Sequence, residues 1–301
     1  QGKCAIIEGV MGMFDGYGID GVASSAHVSK ITGAPVLLVI DGKGISTSAA
    51  ATVKGFADFD PEVPIAGVIV NRVSNDTHYR MIQSAVEMHT GIPCLGYLPK
   101  DEGIALNNRH LGLIPHGEVA DLDERLKRLR SLMEAHIDLD TIVKIAQAHH
   151  TGPVTMPEGL SQFYEDNKNR FDGKRIGIAR DMAFTFYYEA NLDMLQGLGA
   201  RLVPFSPLTD RELPEGLDAL YLGGGFPEIF AEQLSANTLF MQNLKDHLEN
   251  GLRCYGECGG FMYLARSITT LEKAAHEMVG LFNADCVMTK RLQRFGYVTV
   301  N

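Results

Sequence analysis

One cysteine has neighbours that could make it a nucleophile. Cys258 lies between small residues, just after the short apolar run 252–255 and just before apolar residues with helical spacing. Glycines allow the backbone to turn sharply there, and the partial positive charge of a helix N-terminus favours a thiolate. This is the layout of a nucleophile on a tight strand-to-helix turn. We therefore expect acyl transfer through Cys258.

A second glycine-rich turn could complete that site. Three consecutive glycines at 223–225 follow another short apolar run, 219–222. Backbone N–H groups at such a turn can bind the negatively charged oxygen that develops during acyl transfer. The amides of Gly224, Gly225 and Gly259 are therefore the candidate donors of an oxyanion hole.

The first half of the chain carries acidic residues in a glycine-rich loop. Glu8 follows the apolar segment 4–7, and Asp15 lies seven residues later. Ligands of open parallel sheets bind at the carboxyl ends of strands, where two carboxylates could hold Mg²⁺ against phosphate groups. An equally acceptable interpretation is that Glu8 caps a helix and that Asp15 forms a turn.

Two further strand ends carry polar residues. Asp41 opens a loop of small and hydroxyl-bearing residues before a predicted helix. The N–H and hydroxyl groups of that loop could face an anion or could simply cap the helix. Asn71 follows the apolar run 65–70, where an amide could contact a nucleotide base. The chain contains no GxxxxGKS/T sequence, so its own residues do not identify an ATPase.

Short apolar runs alternate with helical patterns along the chain. In the first half, strands are predicted at 4–7, 36–40, 65–70 and 94–98, and helices at 23–32, 47–59, 76–90 and 121–150, the last interrupted by a cap at Asp138. In the second half, strands are predicted at 175–179, 201–205, 219–222 and 252–255, and a helix at 183–198. This alternation predicts an α/β fold with two open, mostly parallel sheets that have helices on both faces.

The chain is long enough for two domains. Its 301 residues allow two separate apolar cores. The segment 151–173 lacks periodicity and contains proline, glycine and several charges, which is typical of a linker. We therefore expect one domain at 1–150 and another at 174–301.

Composition argues against several classes of function. The net charge of −10 is unfavourable for non-specific nucleic-acid binding, and no apolar run approaches the length of a membrane span. The five cysteines are odd in number and scattered, which fits reduced thiols in the cytoplasm. The chain begins without methionine in one predicted strand and stops within another. We therefore expect that it is a piece of a longer protein.

Eight segments, taken together and in order, resemble one known family. They are EGVMGMFDG (8–16), GVIVNR (67–72), RHLGL (109–113), DMAFTFYYEANL (181–192), FSPLTD (205–210), LGGGFPE (222–228), GECGGFMYL (256–264) and LQRFGY (292–297). They resemble cobyrinic acid a,c-diamide synthase. That family joins a dethiobiotin-synthetase-like P-loop domain, which binds ATP, to a flavodoxin-like class I glutamine amidotransferase domain.

The resemblance implies an activity and its substrates. The expected reaction is the glutamine- and ATP-dependent amidation of the a and c acetate carboxylates of cobyrinic acid, or of a related tetrapyrrole polycarboxylate. It would proceed through acyl phosphates as a step of cobalamin biosynthesis. The resemblance implies that Mg²⁺ accompanies ATP, and it is compatible with a homodimer.

The resemblance also implies roles for individual residues. Cys258 matches the nucleophile, and the turn at 223–225 matches the oxyanion-hole region. Glu8 and Asp15 match acidic positions linked to Mg-ATP and to substrate activation. Asn71 matches a position that contacts adenine, and we group Asp41 with these residues as a candidate part of the ATP site.

Three departures from the family pattern affect the expected activity. The phosphate-binding loop is expected before residue 1 and the catalytic histidine after residue 301, so we expect the chain alone to be inactive. Met262 occupies the position at which ordinary class I amidotransferases carry glutamine, a difference that the pattern of the resembled family allows. His276 is the one histidine after Cys258, and it lies in the helix-like stretch 271–279, which is typical of a surface residue.

Two other functions compete with this interpretation. A nucleotide-dependent interaction module of the MinD/ParA type would share the first domain, but it would not need the glycine-flanked cysteine. Cobyric acid synthase would share both domain types and amidate other side chains. The spacing of Glu8 and Asp15 and the motif at 181–191 favour the a,c-diamide enzyme.

Overall fold

The computed structural model describes residues 4–9, 11–105, 121–149, 156–290 and 293. They form two compact units, one comprising the described residues up to 149 and the other those from 156 onward. Each unit has its own parallel sheet and its own apolar core, which confirms the predicted α/β fold class. Within these ranges, no helix has both the length and the apolar composition needed to cross a membrane.

A three-stranded parallel sheet forms the centre of the first unit. Its strands are β1 (Val36–Asp41), β2 (Ile65–Val73) and β3 (Cys94–Pro99), in the order β1-β2-β3. Val68, Val70 and Val73 of the central strand are fully buried in the core of this unit, together with side chains of β1, β3 and two helices. Asp41 lies opposite Asn71 in the register of β1 and β2. The polar ends of these two strands therefore meet at one edge of the sheet.

Three helices accompany this sheet, namely α1 (Ser25–Thr32), α2 (Ser48–Phe59) and α3 (Asp76–Thr90). The side chains of Ser24 and Asn75 accept backbone N–H groups at the starts of α1 and α3. Both helices end at a glycine in the left-handed conformation. Thr47 precedes α2, but its side chain makes no capping hydrogen bond.

Two further helices, α4 (Leu122–His136) and α5 (Leu139–Ala148), complete the described part of the first unit. The Asp138 carboxylate accepts the N–H of Thr141 at 2.9 Å, which confirms the predicted cap. Arg128 of α4 donates to both carboxylate oxygens of Asp101, just after β3. This bidentate pair ties α4 to the carboxyl edge of the sheet.

The strand predicted at 4–7 is wrong. Residues 4–9 have no regular secondary structure, and the Ile6 side chain is 93% exposed. A strand requires a neighbour that accepts and donates backbone hydrogen bonds. None of the described strands pairs with this segment, so its apolar composition alone is not enough to make it a strand.

The second unit contains a four-stranded parallel sheet in the order β5-β4-β6-β7. Its strands are β4 (Arg175–Ala179), β5 (Arg201–Phe205), β6 (Ala219–Leu222) and β7 (Arg253–Gly256). Its helices are α6 (Glu158–Asp166), α7 (Glu189–Gly197), α8 (Ala231–Ala236), α9 (Thr238–Glu249) and α10 (Gly259–Leu264). Leu220 and Leu222 belong to one apolar cluster and Tyr221 to another, so both faces of the sheet are covered.

The predicted linker 151–173 includes α6. The ring of Tyr164, in this helix, packs against Gly197 at the end of α7, and a Cβ atom on Gly197 would lie 2.8 Å from the Tyr164 ring. The described residues of the segment therefore pack onto the second unit.

The helical structure predicted for 271–279 is wrong, because this stretch contains the strand β9 (Ala275–Glu277). This strand is antiparallel to β8 (Ser267–Thr269), which pairs in parallel with β10 (Asp285–Val287). His276 lies opposite Ile268 in this small sheet. The spacing of apolar residues within 271–279 could not reveal this pairing, because the partner strand β8 lies outside that stretch and is separated from β9 by a turn.

The helix predicted at 183–198 begins only at Glu189. Residues 181–188 form a loop instead, because their backbone groups bond elsewhere. The Asp181 carboxylate accepts the N–H groups of Ala183 and Phe184 at 2.8 and 3.3 Å. Phe186 pairs with Gly224 in an isolated antiparallel bridge.

Candidate active site

Cys258 occupies the turn between β7 and α10. Its backbone has φ 49° and ψ −115°, a combination that residues other than glycine rarely adopt. Such strain costs on the order of 1–3 kcal/mol and is commonly found at functional sites, where the surrounding structure enforces it. The side chain is exposed. The turn is therefore as sharp as the sequence predicts, with an accessible thiol at its apex.

The helical side of this turn has no room for side chains at its first two positions. A Cβ atom on Gly260 would overlap the carbonyl oxygen of Leu222, and one on Gly259 would lie 2.8 Å from Pro227 Cδ. The Gly260 N–H donates to the carbonyl oxygen of Gly223 at 2.9 Å. The first turn of α10 thus packs directly on the backbone that follows β6.

The glycine turn after β6 lies beside Cys258. A Cβ atom on Gly224 would be 3.5 Å from Cys258 Cβ, and one on Gly259 would be 3.0 Å from the Gly225 nitrogen. The structure therefore brings Cys258 together with all three glycines that the sequence suggests for an oxyanion hole.

These three glycines differ in the availability of their N–H groups. The Gly224 N–H donates to the carbonyl oxygen of Phe186 at 3.2 Å and is therefore engaged. The N–H groups of Gly225 and Gly259 have no acceptor within the described residues. An oxyanion hole needs donors that are not already paired. The geometry therefore favours Gly225 and Gly259 over Gly224.

The loop before α7 supports the glycine turn. The Phe186 N–H donates to the carbonyl oxygen of Gly224 at 3.0 Å, and the Tyr187 hydroxyl accepts the N–H of Gly223 at 2.9 Å. Sequence reasoning gave Tyr187 no role at the site. The run of threonine and aromatic residues at 185–188, which favours extended backbone over helix, is the signal that could have found this loop.

Asp181 anchors the start of the same loop. Besides the two loop amides already described, its carboxylate accepts the hydroxyl of Ser206 at 2.8 Å and the N–H of Leu208 at 3.0 Å. The loop that follows β4 is thereby joined to the loop that follows β5. The position of the glycine turn thus depends on contacts that begin at Asp181.

Glu257, immediately before Cys258, is held by two phenols. The hydroxyls of Tyr221 and Tyr255 donate to its two carboxylate oxygens at 2.7 and 3.2 Å. Burial, and then the hydrogen bond to Glu257, raise the pKa of Tyr221 above its ordinary value, so this phenol stays protonated as a donor. Glu257 was not identified from the sequence as a residue of the site.

The described residues offer the Cys258 thiol no hydrogen-bond partner. His276 lies in β9, paired with Ile268. Cys254, four residues before Cys258 on β7, packs against the core, and burial raises the pKa of its thiol to about 12. Of these two cysteines, only Cys258 is both exposed and on a sharp turn.

In the first unit, Asp41 and Asn71 meet at the carboxyl edge of the sheet. Asp41 accepts the Nε–H of Arg72 at 2.9 Å and makes a second, shorter contact with Nη2. This hydrogen bonding with Arg72 holds the pKa of Asp41 below its ordinary value. The Asn71 side-chain oxygen accepts the Arg72 N–H at 2.9 Å. Arg72, with a left-handed φ of 59°, is thus a member of this group that sequence reasoning missed.

Glu8 and Asp15 lie on a loop near the start of α1. Both residues are exposed. The Ala26 N–H donates to the carbonyl oxygen of Met13 at 2.9 Å, which joins this loop to the first turn of α1, and the Asp15 carboxylate folds over Gly12. Among the described residues, Glu8, Asp15 and Asp41 belong to no group of three or more His, Cys, Asp or Glu side chains that could hold a metal ion.

Comparisons with known proteins decide which family has this arrangement. Residues 12–114 match the CobQ/CobB/MinD/ParA nucleotide binding domain, and residues 175–301 match the CobB/CobQ-like glutamine amidotransferase domain. Proteins named cobyrinate a,c-diamide synthase from Listeria innocua and Streptococcus sanguinis are each 48% identical over 97% of this chain. The one from Salmonella typhimurium is 41% identical over 99% of it. The chain belongs to the cobyrinate a,c-diamide synthase family. It spans 63% of the length of each of these three relatives.

The family assignment confirms the resemblance on which the sequence interpretation rested. Cys258 and both glycine turns fall within the amidotransferase match, whereas Asp15, Asp41 and Asn71 fall within the nucleotide-binding match and Glu8 just precedes it. Two of the eight family-like segments, 109–113 and 292–297 apart from residue 293, lie outside the described residues.

Proposed function

We propose that the chain is part of a glutamine- and ATP-dependent ligase that amidates the a and c acetate groups of cobyrinic acid or of a related tetrapyrrole. The observation that carries the proposal is the strained Cys258 turn beside a glycine turn with unpaired N–H groups. The names of the three relatives support the choice of substrate. The reaction takes place in the cytoplasm, with ATP, L-glutamine and a tetrapyrrole polycarboxylate as partners.

In the amidotransferase half, the Cys258 thiolate attacks the side-chain carboxamide carbon of glutamine. A C–S bond forms, the carbonyl π electrons move onto oxygen, and this oxygen accepts hydrogen bonds from the N–H groups of Gly225 and Gly259. When the adduct collapses, the C–N bond breaks and the nitrogen, having gained a proton, leaves as ammonia. Water then cleaves the thioester, which yields glutamate and restores the thiol.

In the synthetase half, an acetate carboxylate of the tetrapyrrole attacks the γ-phosphorus of ATP, and ADP leaves. Ammonia attacks the acyl carbon of the resulting acyl phosphate, inorganic phosphate departs, and the amide remains. Phosphorylation is needed because oxide is a poor leaving group from a carboxylate. Each amidation therefore converts ATP to ADP and phosphate, and glutamine to glutamate.

The acidic loop at 8–16 suits Mg²⁺. This ion keeps several waters and binds proteins through one or two carboxylates together with phosphate oxygens. The described residues contain no cluster of three or more His, Cys, Asp or Glu side chains that could enclose a metal ion, but Mg²⁺ needs none. Glu8 and Asp15, both exposed carboxylates, would hold it. The ion would neutralise charge on the transferred phosphoryl group.

Asn71 and Asp41 belong to the same proposed nucleotide site. We assign the Asn71 amide to the adenine ring, because it stands at the carboxyl end of the central strand of the sheet. Asp41 is already paired with Arg72, so it would orient this arginine more readily than it would bind a metal ion.

Replacement of the nucleophile tests this proposal. The assay uses the protein expressed from the complete coding sequence that contains residues 1–301, with ATP, Mg²⁺ and cobyrinic acid. Cys258→Ala should lower glutamine-dependent amidation by at least about 10³-fold, because no other group replaces the thiolate. Amidation with added ammonium salt should persist, because ammonia bypasses the cysteine.

Cys254→Ala is the matched control, since the same change is made to the partly buried cysteine of β7. This variant should retain both activities. Undiminished glutamine-dependent amidation by Cys258→Ala would refute the proposed role of the thiol. Absence of ammonia-dependent amidation in the wild-type protein would refute the proposed ligase reaction itself.

A further inference from the structure

The Tyr187 hydroxyl is hydrogen-bonded to the glycine turn that follows β6. It accepts the N–H of Gly223 at 2.9 Å and donates to the carbonyl oxygen of Ala179, at the end of β4. The carbonyl oxygen of Tyr221 lies 3.3 Å away. A single hydroxyl therefore joins the ends of the neighbouring strands β4 and β6. Burial raises the pKa of Tyr187 to about 12, which keeps the donor proton in place near neutral pH.

Both the N–H and the carbonyl oxygen of Gly223 are hydrogen-bonded. Tyr187 bonds its N–H, and its carbonyl oxygen accepts the N–H of Gly260 at 2.9 Å. Gly260 follows Cys258 by two residues, and Gly225 follows Gly223 by two residues. Through Gly223, the Tyr187 hydroxyl is therefore connected to the turn that carries Cys258 and to Gly225, a candidate oxyanion donor.

Three consecutive glycines need such a restraint more than other residues do. Glycine populates more backbone conformations than any other residue, so a turn built from it does not fix its own N–H directions. A displacement of about 1 Å in a catalytic group can cost about 10²-fold in rate. The loop at 181–188 supplies the restraint, since Phe186 bonds Gly224 while Tyr187 bonds Gly223.

We propose that Tyr187 is a positioning residue for the oxyanion donors of the amidotransferase site, through its hydrogen bond to Gly223. This inference rests on the proposed function of Cys258. Tyr187 does not touch the substrate. Its hydrogen bond to Gly223 fixes the glycine turn, so that the Gly225 N–H points to the place where the tetrahedral oxygen forms.

The test compares two tyrosine-to-phenylalanine changes at adjacent positions. Tyr187→Phe removes the hydroxyl but keeps the ring, whose centroid lies 5.0 Å from that of Tyr221. Tyr188→Phe is the matched control, because that side chain is 78% exposed and its hydroxyl makes no hydrogen bond with the described residues. The glutaminase kcat and KM of the protein from the complete coding sequence are measured with ATP and cobyrinic acid present.

Tyr187→Phe should lower the glutaminase kcat by about 10–100-fold and change KM by less than about threefold, because the oxyanion forms only after substrate has bound. Tyr188→Phe should behave as the wild type. Alkylation of Cys258 by iodoacetamide does not use the oxyanion hole, so its rate should not change. Peptide mass spectrometry assigns the alkylation to Cys258, because Cys4 is also exposed, and circular dichroism measures the fraction of folded protein to which kcat refers.

An aldehyde analogue of glutamine provides a second readout. It forms a tetrahedral adduct with the cysteine, so its inhibition constant should rise in Tyr187→Phe by the same factor as kcat falls. The inhibition constant of glutamate, which forms no such adduct, should stay constant. A merely structural role of Tyr187 would weaken both ligands equally, or neither.

Two results would overturn the inference by itself: a kcat for Tyr187→Phe within about twofold of wild type, or equal weakening of the aldehyde and of glutamate. A wild-type protein that is alkylated at Cys258 but has no glutaminase activity would overturn the proposed function, and this inference with it.

Discussion

Replacing Gly260 with alanine tests whether the packing of α10 against β6 holds the nucleophile in place. Gly260 lies in the first turn of α10, and its backbone is outside the left-handed region, so alanine would not strain its φ angle. Its Cβ atom would overlap the carbonyl oxygen of Leu222 and lie 2.6 Å from the carbonyl carbon of that residue. These are backbone atoms of a buried strand, and they cannot rotate away.

Two contributions set the size of the effect. Overpacking of a close-packed interior costs about 1–3 kcal/mol, and loss of the hydrogen bond from Gly260 to Gly223 costs about 0.5–1.5 kcal/mol. The free energy of unfolding of the second unit should therefore fall by about 2–4 kcal/mol. For a unit of roughly 150 residues, this lowers the melting temperature by about 4–16 °C.

Thermal unfolding, glutaminase activity and alkylation of Cys258 are the three measurements. The glutaminase rate should fall by at least about 10²-fold, because the turn must shift to admit the methyl group. Gly159→Ala is the matched control, since it makes the same change in a helix of the same unit, where an added Cβ atom meets nothing within 4 Å. That variant should be as stable as the wild type or more stable by up to about 1 kcal/mol.

A Gly260→Ala variant that melts with the wild type and keeps its glutaminase activity would refute this role of the α10 packing. Such a result would mean that α10 can move away from Leu222 without disturbing Cys258. A loss of stability without loss of activity would show that the contact supports the fold but does not set the geometry of the nucleophile.

Three further predictions concern carboxylates. Asp15→Asn should lower ATP-dependent amidation by about 10²-fold or more while glutaminase activity persists, with Asp20→Asn of the same loop as the control. Asp181→Ala should lower the free energy of unfolding by about 2–4 kcal/mol in a denaturant titration, because it leaves several partly buried donors unpaired. The Arg266 hydrogen bonds lower the pKa of Asp285 to about 2. Since this lies below the ordinary value of ~3.9, the pair should stabilise the fold above about pH 4, and its contribution should disappear as the pH falls toward 2. An NMR titration of Asp285 should show this low pKa, and Arg266→Gln should return it toward the ordinary value.

The strands of the four-stranded sheet in the second unit were predictable because each contains a short apolar run between glycine or polar residues. The structure has β4, β5 and β6 with the predicted bounds, and β7 differs from its prediction by one residue at each end. The central strands β4 and β6 bury side chains on both faces, so their runs are mostly apolar. Such a pattern is local, and a single sequence contains it.

The loop at 181–188 was not predictable in the same way. Its aromatic residues have spacing that a helix also allows, and α7 does follow at Glu189. Its backbone instead bonds to the glycine turn, and the partners Tyr187 and Gly223 are 36 residues apart in the chain. The threonine and aromatic residues at 185–188 favour extended backbone, but the hydrogen bonds that fix this loop exist only once β4 and β6 are side by side.

The same distinction separates the parts of the candidate site. Glycines mark Cys258 in the sequence, because the close approach of two backbones leaves no room for side chains at 259 and 260. The side chain that holds those backbones, Tyr187, carries no comparable mark, since tyrosine fits many environments. A glycine turn that admits close contact is also too flexible to fix its own amides. The residues that a sequence cannot single out are therefore those that must make the turn rigid, and they should be sought wherever a structure bonds a side chain to the amide of such a turn.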